Sequence, residues 1–264
     1  MPELHITDPR ERRVTKANEL IQKSRFSLST QQQRIVLFLI SQINPWDEDF
    51  KVYKFSITEF SRVCGINHPG GRGYSEMKAA IKEIADRSLW VRLDNGKETL
   101  LRWIEKPYID EGKGTVEIRL DKDMKPYLLQ LRENFTDYEL VYTLRFRSRY
   151  SIRLYELIRS VHYHDMEELH CQFSISRLRT MLGAEDYSEY RDFKRRVLNP
   201  AVNEINRYSD RDLEYTELKQ GRKVIGLDFA IKAKSIDARV MLRAEIDKTM
   251  GPPQLSFWDE GNNF

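Results

Sequence analysis

Cysteine is scarce in this sequence. Two occur, Cys64 and Cys171, among 264 residues. That is too few for a disulfide framework, so a reducing compartment, the cytoplasm, is expected. Long apolar runs are missing as well. The longest, at residues 35–40, has six residues, against about 20 for a membrane-spanning helix, and no membrane partner is expected. No basic-then-apolar leader opens the sequence, so no secretory signal is expected. Nor does charge of one sign dominate. The 44 Lys and Arg stand against 41 Asp and Glu, a balance of +3, so only clustering of the positive charge could point to an anionic partner. Aromatics, by contrast, are plentiful. Twelve Phe, 13 Tyr and four Trp supply enough apolar surface for real cores and exclude disorder of the whole chain. The length suggests about two domains.

Signatures of catalysis are also lacking. Gly70-Gly71-Arg72-Gly73 and Gly112-Lys113-Gly114-Thr115 are glycine-rich, but neither has the Gly-x4-Gly-Lys-Ser/Thr spacing that cradles a phosphate. They read as turns. No Ser-His-Asp set and no paired carboxylates stand out. His162-Tyr163-His164, followed by Asp165, resembles the metal-binding pair of rolling-circle nickases. There the pair lies on a strand that points both rings at one metal. Here it falls at the C-terminal end of a helix, where residues two apart do not share a face and where histidine favours the dipole. A zinc site that added His170 and Cys171 is a weaker possibility still. The expectation is no enzyme, no catalytic residue, no metal and no cofactor, with a nickase of this type kept as an alternative.

What the sequence does contain is an internal repeat. Phe55-Ser56-Ile57-Thr58 leads to Val63-Cys64-Gly65, and Phe173-Ser174-Ile175-Ser176 leads to Met181-Leu182-Gly183, 118 residues further on. In each copy a strand should end at Ile, Thr58 or Ser176 should cap a helix, and the glycine should end that helix in the left-handed region. A second, longer helix follows, from Tyr74 in one copy and Tyr190 in the other. A helix also precedes each copy. One begins at Thr30-Gln31-Gln32-Gln33 like a capping box. The other carries Tyr150, Leu154, Leu157, Ile158 and Val161 at amphipathic spacing. After the long helix come strands. Trp90 to Leu93, the turn Asp94-Asn95-Gly96-Lys97 and Thr99 to Ile104 make a hairpin, with a third strand from Thr115 to Leu120. Leu213 to Leu218 and Val224 to Ile231 make the matching hairpin of the second copy. Helix, strand, helix, helix, hairpin is the order of a winged helix-turn-helix. The fold class is therefore α+β, two tandem winged helix-turn-helix domains related by internal duplication. The expected division is 1–125, a linker at 126–145, 146–234 and a tail at 235–264.

The second helix of a helix-turn-helix enters the DNA major groove. At about 100° per residue, Phe193, Val197, Ala201, Ile205 and Tyr208 share the inner side of the 190–208 helix. Arg195, Arg196, Asn199 and Asn203 lie roughly opposite. Arginine bonds bidentately to guanine and asparagine to adenine. Arg191 and Lys194 are near enough to reach bases or phosphates. Pro200 should kink the helix or cost it a hydrogen bond, and no function follows for it from the sequence. The first copy is weaker, with Lys78 and Lys82 outward and Arg72 in a glycine-rich loop that could approach a DNA backbone. A second cationic run, Arg145, Arg147, Arg149 and Arg153, opens the second copy, and Arg222 and Lys223 flank its hairpin turn. Any one of these cations could be an ordinary solvated charge. The clustering points to double-stranded DNA.

In the tail, residues 236–250 should form one helix. After Gly251-Pro252-Pro253 comes Gln254-Leu255-Ser256-Phe257-Trp258. Two large aromatics in a polar tail suggest a docking peptide. The string resembles the sliding-clamp-binding pattern Gln-Leu-Ser/Asp-Leu-Phe, with Phe257 and Trp258 bulkier than the pattern. Packing of both rings on the domain is the plainer alternative.

Several separated segments resemble, in order, the Rep_3 family of plasmid replication initiators. They are residues 14–21, Gln33-Arg34-Ile35, residues 148–157 and residues 193–206, within a span of about 14 to 232. The resemblance implies two winged-helix domains that bind repeated origin sites, the iterons, with the C-terminal domain the main major-groove reader. The N-terminal domain would contribute backbone contacts and a dimer face. It also implies monomers that open the origin, dimers that repress their own gene, and contacts with the host initiator and replicative helicase. Leu101, Trp103 and Ile104 are the apolar candidates for the dimer face, with core burial as the alternative. A winged-helix transcriptional repressor with no role in replication is the rival reading.

Overall fold

The computed structural model describes residues 9–63, 71–162 and 167–250. It begins with β1 (Arg13–Ala17), α1 (Asn18–Lys23), β2 (Ser24–Arg25) and α2 (Thr30–Ser41). The first repeat follows as β3 (Tyr53–Ser56), α3 (Ile57–Val63), α4 (Gly71–Asp86), β4 (Ser88–Arg92), β5 (Glu98–Arg102), β6 (Tyr108–Asp110) and β7 (Thr115–Ile118). Then come α5 (Lys125–Leu128), β8 (Phe135–Glu139), α6 (Val141–Leu144) and α7 (Arg149–Val161). The second repeat is β9 (Glu168–Ser174), α8 (Ile175–Leu182), a helix over 190–208 that we call α9, β10 (Arg211–Gln220) and β11 (Lys223–Ala233), with α10 (Ile236–Met250) last.

The duplication is visible in the strand register. Phe55 pairs with Val116 and Ser56 with Thr115. In the second copy Phe173 pairs with Leu227 and Ser174 with Gly226. Each Phe-Ser strand thus lies beside the last strand of its own copy, in sheets ordered β3-β7-β6 and β9-β11-β10. This corrects the sequence alignment of the wings. The counterpart of the β10–β11 hairpin is β6–β7, not the hairpin at Trp90. That hairpin, β4–β5, is an insertion that pairs with β2 in a sheet of its own.

Helix boundaries follow from local chemistry. The box that opens α2 uses Ser29, whose hydroxyl accepts from Gln32 N–H while the Gln32 side chain accepts from Ser29 N–H, one residue before the expected Thr30. In α8 the cap is Ser174, which accepts from Arg177 N–H at 3.2 Å, instead of Ser176. The cap must sit in extended backbone, and Ser174 does, at φ −67 and ψ 149. Gly183 ends α8 in the left-handed region at φ 63, as read from the sequence. A Cβ there would stand 3.0 Å from the carbonyl oxygen of Phe26, so this glycine also permits a close approach between the two halves. Gly65 lies outside the described residues.

Leu101, Trp103 and Ile104 are 7%, 1% and 2% exposed. They are core residues, with Trp103 edge-on to Phe26. On the inserted hairpin the exposed apolar side chains are Trp90 (46%) and Leu100 (52%), which face each other across β4 and β5. The segment that joins the two copies, 126–145, is itself packed. Its strand β8 pairs with β1 along all five residues, and Tyr138, Leu140, Val141 and Leu144 are buried.

The two halves meet along α7, whose residues 150–160 are all buried. Its apolar side packs against α1, α2, α8 and α9. Its polar side is buried too, which requires partners for every charge. Lys16 Nζ donates to Glu156 Oε1 at 2.5 Å, and Tyr138 Oη donates to the same oxygen at 2.7 Å. Arg153 donates to the carbonyls of Met181 (2.9 Å), Ile21 (3.2 Å) and Ser24 (3.3 Å), joining β2 to α8. Asp210 accepts from Tyr155 (2.7 Å), Arg159 (3.1 Å) and Arg211 (2.7 Å).

Candidate nucleic-acid interface

Helix α9 is held against the second-copy core by Phe193, Val197, Leu198, Ala201, Val202 and Ile205, all buried. Its outward side chains can be followed from the N-terminal end. Arg191 is exposed and forms no ion pair with a described residue. Lys194 turns back to β10, where its ammonium donates to Glu217 at 2.7 Å. Arg195 and Arg196 are exposed, 65% and 60% by side chain, and both reach Asp192 of the same helix, at 2.9 and 3.9 Å. Such exposed pairs are worth about 0–1 kcal/mol, so a phosphate or a base edge competes with them easily. Asn199 accepts from Tyr215 Oη at 2.7 Å and keeps its amide N–H groups. Asn203 is exposed. At the tip of the wing, Gly221 takes φ 61, and Arg222 and Lys223 stand exposed beside it. Lys219, passed over in the sequence reading, joins them. Its signal was position, two residues before that turn glycine.

The Glu217 cluster has a pH consequence. Hydrogen bonds from Lys194 and from Tyr190 pull its carboxyl from 4.5 down to about 2. A carboxylate with a depressed folded value stabilises the fold above its unfolded value and loses that contribution as pH falls. The wild-type protein is therefore expected to lose stability between about pH 4.5 and 2 in part through this group. Glu217→Gln should flatten that part of a stability–pH curve. Identical curves for the two proteins would remove the cluster from the account.

The cationic run before α7 divides. Arg147 is exposed, while its N–H bonds the Glu204 carboxylate of α9 at 3.1 Å, fixing the entry of α7 against α9. Arg149 is part-exposed and donates to Ser27 Oγ and Tyr150 Oη, both at 2.8 Å. Arg145 bonds Glu245 and lies over the Tyr208 ring, and Arg153 is buried. Arg145 and Arg153 therefore serve packing, because a partner carboxylate, carbonyl or ring lies at hand that the sequence does not reveal. In the first copy, Lys78 and Lys82 lie exposed on α4, paired with Glu111 and Asp86. The side chain of Arg72 lies outside the described residues, as do residues 68–70.

Other candidate chemistry is placed as follows. Burial raises the Cys171 thiol to about 11, leaving it protonated at neutral pH, the unreactive form. His162 is buried at the end of α7. His164 and the peptide Gln254 to Trp258 lie outside the described residues. Among the described residues no cluster of three His, Cys, Asp or Glu is placed to hold a metal ion, and no helix is long and apolar enough to cross a membrane.

An outward row of guanidinium and amide groups on the second helix of the motif, with a basic wing beside it, defines a tandem winged-helix protein built to meet nucleic acid. The chain belongs to the initiator replication protein family. The model of the family's first winged-helix domain (Initiator Replication protein, WH1) matches residues 13–159, and that of the second (Initiator Rep protein, WH2) matches 174–231. A replication initiation protein of Escherichia coli is 26% identical over 242 residues, covering 89% of this chain and 73% of that protein. The PI protein of Escherichia coli is 27% identical over 189 residues, 66% of this chain and 61% of its own length. The crystal structure of a Pi initiator protein in complex with iteron DNA superposes with a TM-score of 0.73 at 22% identity, covering 86% of this chain and 99% of that one, which is a likeness of fold.

Proposed function

We propose that the chain initiates plasmid replication by binding repeated origin sequences, iterons, through the second winged helix. The observation that carries this is the α9 face, with Arg191, Arg195, Arg196 and Asn203 directed away from the core in a chain of the initiator family. Arginine and asparagine supply base contacts in the major groove, and Arg222, Lys223, Lys219 and Arg147 supply phosphate contacts. The first winged helix adds backbone contacts through Lys78 and Lys82. Protein partners in this reading are the host initiator and replicative helicase, with the sliding clamp held by Gln254 to Trp258, and the work is done in the cytoplasm without an enzymatic step.

A second state is favoured by one observation. Strand β5 is the open edge of its sheet, and Trp90 and Leu100 are exposed on that hairpin. An unpaired edge with an apolar cross-strand pair suits a second copy, and a two-fold dimer matches an inverted repeat. We place autorepression there. The test is gel retardation on DNA carrying one, two or three candidate repeats. One added band per repeat is expected, unchanged by Leu100→Asp. A single band, confined to an inverted repeat and lost in Leu100→Asp, would replace the initiator reading with that of a dimeric repressor.

A further inference from the structure

Pro200 lies inside α9, where proline supplies no N–H and its ring collides with the carbonyl four residues back, here that of Arg196. The helix accommodates this over Lys194–Leu198 by widening into a π turn, in which Asn199 N–H bonds Lys194 O, five residues back. A π turn inserts one residue into the helix. Side chains before it are rotated by about 100°, one residue's worth, relative to those after it. An unbroken helix aligns residues about seven apart, and one with a single insertion aligns residues eight apart. The core obeys the second rule. Phe193 and Ala201, eight apart, are both fully buried, whereas Pro200, seven from Phe193, is partly exposed.

The same shift acts on the outer face, and this inference rests on the interface reading above. Without the insertion Asp192, seven residues before Asn199, would share a row with Asn199 and Asn203. With it the row is Arg191, Asn199 and Asn203. A carboxylate facing DNA repels phosphate and cannot donate to the acceptors of guanine, and a guanidinium does the opposite. We propose that Pro200 is a specificity-determining positioning residue. It touches no DNA, and its π turn exchanges Asp192 for Arg191 on the reading row.

Pro200→Ala returns an N–H and removes the ring. Alanine favours helix, so the variant should fold, as a thermal melt would check. The test is a double-mutant cycle on affinity for the repeats flanking this protein's gene, with random DNA as control. Arg191→Ala is expected to weaken repeat binding about tenfold in the wild-type background. Pro200→Ala should weaken it similarly, after which Arg191→Ala should add less than twofold. Asp192→Asn should then recover binding in the Pro200→Ala background and not with Pro200 present. A crystal structure of DNA-free Pro200→Ala should show residues 194–198 α-helical. An equal cost of Arg191→Ala in both backgrounds, or a π turn that survives in the variant, overturns the inference while leaving the interface standing. A wild-type protein with no preference for the repeats overturns the interface itself, and the inference falls with it.

Discussion

Glu156→Ala is expected to lower the free energy of unfolding by about 3–5 kcal/mol, the cost typical of removing one partner of a buried ion pair. Glu156 and Lys16 side chains are 1% and 4% exposed, and the guanidinium of Arg153 is 3.7 Å from the same carboxylate. Burial already holds the Lys16 ammonium below its ordinary value despite its partner. Without Glu156, two buried cations would be left uncompensated and Tyr138 would lose its acceptor. Because Lys16 comes from β1 and Glu156 from α7, the loss falls on the seam between the halves. Urea denaturation measures it. Lys16→Met combined with Glu156→Leu should recover part of the loss, since one of the two buried cations is gone while Arg153 and Tyr138 still lack the carboxylate. A change below about 1 kcal/mol in Glu156→Ala would mean that water reaches this seam.

The second large effect concerns binding. Arg195→Ala together with Arg196→Ala should weaken binding to the preferred DNA by about 2–4 kcal/mol, given about 1–3 kcal/mol for each good base contact. Both side chains are mostly exposed, and among the described residues their ion pairs are with Asp192, so the fold should be unaffected. Random-DNA binding should fall much less, by the phosphate contribution alone. Equal losses on both DNAs would reassign the two arginines to the backbone.

Much of this architecture was legible because it repeats. The Phe-Ser-Ile strings, Gly183 and the amphipathic spacing of α7 and α9 are local signals, and each marks an element. What stayed hidden is non-local. The pairing of β1 with β8 joins Arg13 to Glu139, and nothing near either residue announces it, so 126–145 read as a linker. The β4–β5 insertion carries a good hairpin turn and looked like the wing. Arg153 reads as part of a DNA-facing cationic run because a sequence does not say which cations find buried partners. The face of α9 was located by a period that assumes an unbroken helix. Pro200 was the visible exception, but a proline by itself does not say whether a helix kinks, breaks or widens into a π turn.

In the proposed function α9 reads a sequence and does more than hold phosphates. The most direct measurement is a binding titration against the DNA flanking this protein's gene, beside random DNA, at two salt concentrations. A laddered, tighter shift is expected on the flanking DNA, with a preference that persists at the higher salt while random binding collapses. Equal affinity for both DNAs, falling together as salt rises, would contradict it.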